Sequence, residues 1–160
     1  QNEIEITGPA NVVSEIDYLN LASISTKNIS VSHNTFERHV NIDRTGVSLT
    51  DKSSGPVTVT FDMTGYSEKN FSVPIAGHHV VTGLNEQFSY EITTTNSVTM
   101  VGPTAVIEAM SAGDLYYEID LSDIISPGTY ERNVTVKMLN NTSVWAYGNY
   151  RCTINITQAP

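Results

Sequence analysis

Two stretches, "TGPANVVSEI" (Thr7–Ile16) and "VGPTAVIEAM" (Val101–Met110), write the same corner twice. In each, an alternating strand-like run ends at Gly-Pro, and a short apolar run with helical spacing begins. A glycine at such a junction opens two readings. Helix N-terminal N–H groups bind anions, so the corner can cradle a phosphate; it can equally be the turning point of a repeated building block. A phosphate loop needs several glycines for close backbone approach, and usually a lysine. Here Pro9 and Pro103 follow a single glycine and remove a donor, and neither corner holds a Lys or Arg. The structural reading prevails.

The pair also fixes a repeat. Gly8-Pro9 and Gly102-Pro103 lie 94 residues apart, and at that offset Val12 meets Val106, Val13 meets Ile107 and Ile16 meets Met110. Still at 94, "TFERHVNI" (Thr35–Ile42) meets "TYERNVTV" (Thr129–Val136), which brings Glu37-Arg38 onto Glu131-Arg132. After a shift of one residue, "VTVTF" (Val57–Phe61) meets "CTINI" (Cys152–Ile156). Blocks in one register, separated by unlike sequence, mark a tandem duplication. The eight residues Gly8, Pro9, Glu37, Arg38, Gly102, Pro103, Glu131 and Arg132 serve as its markers. The copies divide the chain into a first repeat, residues 1–63, and a second, residues 64–160.

Each copy spells mostly strands. Ile4 and Ile6 alternate with Glu3 and Glu5, and Val98 and Met100 with Ser97 and Thr99, as in half-buried strands. Proline suits the first helical position, where its missing N–H goes unused, so the spacing predicts a helix of one to two turns after each corner. In the second copy Leu115, Tyr117, Ile119 and Leu121 alternate with Tyr116, Glu118, Asp120 and Ser122. "SPGTY" (Ser126–Tyr130) supplies a turn. Val134, Val136 and Met138 make a further strand, and Cys152, Ile154 and Ile156 the last. "FSVPIAG" and "FSYEITTTN" add strands to the second unit. The expected class is mainly β: two small modules, each with one short helix after its Gly-Pro corner. The first copy lacks a counterpart of Asn70–Asn96, so it reads as a unit without its N-terminal part, with an unpaired sheet edge of the kind natural sheets protect. The abrupt start at "NEIEITG" reads as an excised fragment.

Composition agrees. The 160 residues are 39% hydrophobic and 16% charged, rich in Ser, Thr and Asn and with eight Tyr, a mixture that favours strands and turns over helices. Eight basic against seventeen acidic residues leave a net charge of −9, which offers no electrostatic footprint for nucleic acid or anionic lipid. No apolar run reaches the ~18–20 residues of a membrane span. A single cysteine, Cys152, excludes an internal disulfide and leaves the compartment open.

The order of these pieces resembles the YbbR domain family. The resemblance rests on "VTMVGPTAVIEAM", "YYEIDLSDIISPGTYERNVTV" and the preceding "NFSVPIAG" in the second copy, and on "IEITGPANVVSEI" and "TFERHVNI" in the first. It departs where the first copy offers "ASIST" in place of "IDLS". It implies small, mainly β modules strung in tandem on the extracytoplasmic face of a bacterial membrane, anchored by a segment outside these residues. It also implies a protein partner, a membrane diadenylate cyclase making cyclic di-AMP, regulated through contact. No cofactor and no catalysis are implied.

Adjacent strand residues face opposite sides, so Glu37-Arg38 and Glu131-Arg132 cannot converge on one substrate; an ion pair with a neighbouring strand, or a solvated edge, fits better. His78-His79 diverge in the same way and lack a third ligand at zinc spacing. Asp114, Glu118, Asp120 and Asp123 lack the Asp/Asn-Gly pattern of a calcium loop and read as the polar face of one strand. Cys152 shares a face with Ile154 and Ile156 and reads as a buried thiol. The sequons at Asn28, Asn70, Asn133, Asn140, Asn141 and Asn155 follow from composition. Two competing functions remain: an adhesin or stalk of immunoglobulin-like repeats, and a carbohydrate-binding module using Tyr116, Trp145 and Tyr147 as a sugar platform, which needs coplanar exposed rings.

Overall fold

The computed structural model describes residues 3–74 and 78–160. Ile75–Gly77, the end of "NFSVPIAG", and the first two residues lie outside the described set. The chain is mainly β and divides into two compact units, Gln1–Ser25 with His33–Asp62, and Thr26–Ser32 with Met63–Pro160. Thr26–Ser32, inside the first repeat by sequence, thus groups with the second unit.

The first unit comprises β1 (Ile6–Thr7), α1 (Ala10–Val13), β2 (Asn20–Leu21), β3 (Thr35–Arg38), β4 (Val40–Asn41), β5 (Ser48–Leu49) and β6 (Val57–Thr60). Its strands form three antiparallel pairs, β1 with β5, β2 with β4, and β3 with β6. The second comprises β7 (Tyr66–Pro74), β8 (His79–Thr82), β9 (Phe88–Ile92), β10 (Thr95–Pro103), α2 (Thr104–Ala109), β11 (Leu115–Asp120), β12 (Gly128–Met138), β13 (Trp145–Tyr147) and β14 (Tyr150–Gln158). These build a three-stranded sheet, β13-β10-β7, and a five-stranded sheet, β8-β11-β12-β14-β9, whose β8–β11 pair is parallel.

The inner faces of both sheets of the second unit share one apolar cluster. Val98 and Met100 from one, Tyr117, Ile119, Ile154 and Ile156 from the other, and Ile107 of α2 are at most 2% exposed. The alternation along β11 explains this, since Leu115, Tyr117 and Ile119 face in while Tyr116, Glu118 and Asp120 face out. At the matching first-copy positions stand Leu21, Ser23 and Ser25, with Lys27 opposite Leu121. Three polar residues cannot line a core, so β2 stops at Leu21 where β11 runs on for six residues.

Register repeats between the copies. Phe36 pairs with Val59 and Arg38 with Val57 in β3–β6; Tyr130 pairs with Ile154 and Arg132 with Cys152 in β12–β14. These are the partners that the 94- and 95-residue offsets bring together. The corner repeats as well. Gly102 approaches Val144 so closely that a Cβ there would sit 2.9 Å from the valine Cγ1 and 3.3 Å from its Cα; at Gly8 the neighbours are Val47 Cγ2 and the Gly46 carbonyl oxygen, both at 2.9 Å. Val47 and Val144 are 97 residues apart, so the loop before this valine is three residues longer in the second copy, and the next loop two shorter.

One expectation is corrected by a residue. Pro9 and Pro103 are the N-caps and not the first helical residues, with ψ of 132° and 134°. The reason is their carbonyls: that of Pro9 accepts from the N–H groups of Val12 and Val13 at 2.9 and 3.0 Å, the bonds that open α1.

Gly102→Ala is expected to cost about 1–3 kcal/mol, because the methyl must displace Val144 in a packed sheet; urea unfolding followed by Trp145 fluorescence measures it. Gly8→Ala faces a backbone oxygen that cannot rotate away, so hydrogen exchange at β1 and β5 should accelerate at least as much.

Candidate interaction surface and the fate of its polar residues

The repeated Thr-aromatic-Glu-Arg strand places its four side chains alternately. Phe36 is buried and Arg38 half-buried, while Thr35 and Glu37 are exposed. Arg38 folds back over the Phe36 ring at 5.4 Å and its Nη1 donates to the Glu37 carbonyl at 2.8 Å. Arg132 does the same over Tyr130 at 5.1 Å and to Glu131 at 3.1 Å. The arginine therefore caps an aromatic ring by cation–π attraction while its stem covers apolar surface. Arg132 Nη2 also donates to both carboxylate oxygens of Asp123 at 3.1 Å, and exposed Glu131 meets Arg151 of the neighbouring β14 at 3.6 Å. In the second copy glutamate and arginine engage different partners, Arg151 and Asp123; in the first, Glu37 is exposed while Arg38 is half-buried over Phe36.

The acidic series is dispersed in the same way. Glu118 bonds Lys137 at 2.6 Å across β11–β12, and this contact raises the Lys137 pKa. Asp114 accepts from the Ser111 N–H at 2.7 Å and the Ser111 hydroxyl at 2.9 Å, which lowers its pKa. Asp120 accepts the Ser122 N–H at 2.9 Å; that bond chiefly, the Ser122 hydroxyl next and Arg132 least hold its carboxyl below the usual aspartate range. Only Glu118 and Asp120 belong to β11, because Asp114 closes a 3-10 turn ahead of it and Asp123 follows it. The expected single polar face is thus two residues long. The Ser111-Ala-Gly-Asp114 capping box carried its own signal, Ser followed three residues later by an acid.

His79 Nε2 lies 3.1 Å from the Tyr90 hydroxyl, with the rings edge to face, while His78 is exposed. Among the described residues no three His, Cys, Asp or Glu gather to hold a metal ion. Cys152 is 1% exposed on β14, paired with Arg132 of β12, and burial pushes its thiol pKa up against a smaller opposing pull from Arg132. Of the aromatics named for a sugar platform, Trp145 and Tyr147 share β13 while Tyr116 is on β11 of the other sheet. Trp145 tilts 47° to Tyr66, and its indole N–H donates to the Ile29 carbonyl at 2.8 Å.

That indole bond belongs to an arrangement that sequence reading missed. Thr26–Ser32 is held in the second unit by Trp145 to Ile29, by the Gly148 N–H to the Lys27 carbonyl at 2.7 Å, by Lys27 Nζ to Asn149 at 2.9 Å, and by the Val31 N–H to Glu68 at 3.1 Å. Ile29 and Ser30 are buried there. Nothing local to "TKNIS" announces this, since its partners lie 37 to 122 residues away.

No family model matches this chain, and neither the curated proteins nor the solved structures contain a match. No helix among the described residues is long and apolar enough to cross a membrane.

Because its thiol is buried, Cys152 should react with an aromatic disulfide reagent at pH 8 at no more than about 1% of its rate in denaturing urea; fast labelling of the native chain would contradict the buried assignment. Asp120, with a lowered folded pKa, contributes stability that is full above the ordinary aspartate pKa and is lost as pH falls through the folded value. Asp120→Asn should therefore flatten the acid limb of urea midpoint against pH between about 5 and 2.

Proposed function

We propose that this chain is a non-catalytic, extracytoplasmic tandem-repeat interaction module of the YbbR type. In the full protein it would belong to a membrane-anchored regulator of diadenylate cyclase. The observation that carries this reading is the duplicated unit, whose Gly-Pro corner and Thr-aromatic-Glu-Arg strand recur in one register while the arginine of each strand caps its aromatic ring. Side chains engaged in holding the fold leave recognition to the surface that the modules present. The proposed mechanism is physical coupling: contact with the module favours one activity state of the cyclase and so shifts its equilibrium. With a net charge of −9 on the module, contact with a basic partner patch should weaken as salt rises.

The reading predicts that deleting the full-length membrane protein changes cyclic di-AMP output from cells, and that the cyclase co-purifies with it. Unchanged output together with no co-purification would overturn the cyclase assignment. The one-to-two-turn helix after each corner argues against the competing stalk of plain immunoglobulin-like sandwiches.

A further inference from the structure

The first unit carries the inner positions of the second without the strands that cover them. Ile4 and Ile6 stand where the second copy has Val98 and Met100, Ile16 where it has Met110, and Leu21 where it has Leu115; Val57 and Val59 match Cys152 and Ile154. In the second unit all six are at most 3% exposed. In the first unit none of the six is buried, and Leu21 is 42% exposed. They line a groove of about 550 Å³ whose rim includes Tyr18, itself 77% exposed.

What covers the second-copy positions is visible. β7 lies along β10 over nine residue pairs, β9 along β14 over five, and β8 along β11 over four. Their first-copy counterparts β1, β6 and β2 each have a single strand partner among the described residues. An open strand edge beside an apolar groove takes up extended peptide, since the edge supplies main-chain hydrogen bonds and the groove accepts alternate side chains.

We infer that the groove of the first unit is completed by a strand-forming polypeptide segment built like Tyr66–Ile92 and supplied from outside these 160 residues, which adds to the open edges of β1 and β6. A second copy of the chain is a poor donor. Its own Phe71, Phe88 and Ile92 are 5–8% exposed in the core of the second unit, so lending them uncovers as much apolar surface as it covers. Charge adds a further mark of the occupant. In the second unit Lys69 of β7 donates to the Met110 carbonyl at 3.2 Å and lies over the Phe71 ring. Ile16, the counterpart of Met110, is flanked by Glu15 and Asp17, where Met110 has Ala109 and Ser111. A basic residue at the Lys69 position of the incoming strand therefore meets an acidic flank.

The test adds a synthetic peptide of the Tyr66–Ile92 sequence to the whole chain and follows amide hydrogen exchange. Protection at Ile4–Thr7 and Val57–Thr60 should rise about tenfold, with Leu115–Asp120 unchanged. The peptide carrying Phe71→Asp and Phe88→Asp should give no protection, and Lys69→Glu in the peptide should weaken binding about threefold. These changes sit in the peptide, so the folding of the chain is unaffected. Three results would overturn the inference: no added protection at about 1 mM wild-type peptide; protection or deprotection spreading to β10 and β14, which marks strand exchange; or protection of the same edges without peptide in step with dimer formation, which makes a second copy the occupant.

Discussion

The contact on which each unit turns is a glycine pressed against a valine. Gly102 sits on Val144 and Gly8 on Val47, at separations no side chain tolerates. This approach lets β10 and β1 run beside the strand that follows the valine and then leave it for a helix within one residue. The proline next in sequence supplies the fixed φ that the departure needs, and its carbonyl opens the helix. A corner that began as an apparent anion site is therefore a packing joint. The Val12 and Val13 N–H groups bond the Pro9 carbonyl, the Thr104 N–H bonds the Gly65 carbonyl, and the space beside each glycine is filled by an aliphatic side chain.

From that joint the two units share a plan and differ in completeness. The paired strands β3–β6 and β12–β14 keep the same cross-strand partners, with an arginine folded over an aromatic ring in both. In the second unit, added strands on both sheets bury the inner faces nearly completely. In the first, the same inner positions remain partly open, and the strand that would extend them ends where serines replace leucine-like residues. Burial follows from strand count as much as from side-chain type.

The parts legible in the sequence are those with local periodicity or internal echo. Alternation along Leu115–Asp120 gave the buried face correctly, and the 94- and 95-residue offsets matched the segments that form β3 and β6 with those that form β12 and β14, whose cross-strand partners then repeat. Val101 escaped this reading: it lies next to Met100, yet both are fully buried, because β10 is the middle strand of its sheet and α2 packs beside it. The placement of Thr26–Ser32 depends on an indole and a lysine whose partners are more than a hundred residues distant, so no window along the chain could show it. The proline boundary differed by one residue because only the acceptor of the first helical hydrogen bonds distinguishes cap from helix.

The drift of the repeat offset from 94 to 97 and back to 95 has a meaning beyond alignment. Between Arg132 and Val144 the second copy carries three more residues than the first carries between Arg38 and Val47, yet both valines reach their glycines. The surplus is taken up around a tight turn where Asn140 adopts a left-handed conformation and Met138 bridges to Asn141. Closing a slightly longer loop costs little, so chain length is slack there while the joint it serves stays fixed. The molecule thus carries a natural insertion tolerance at Leu139–Thr142, a place where a reporter group or grafted loop can be accommodated ahead of Ser143 and Val144, which form the joint with Gly102.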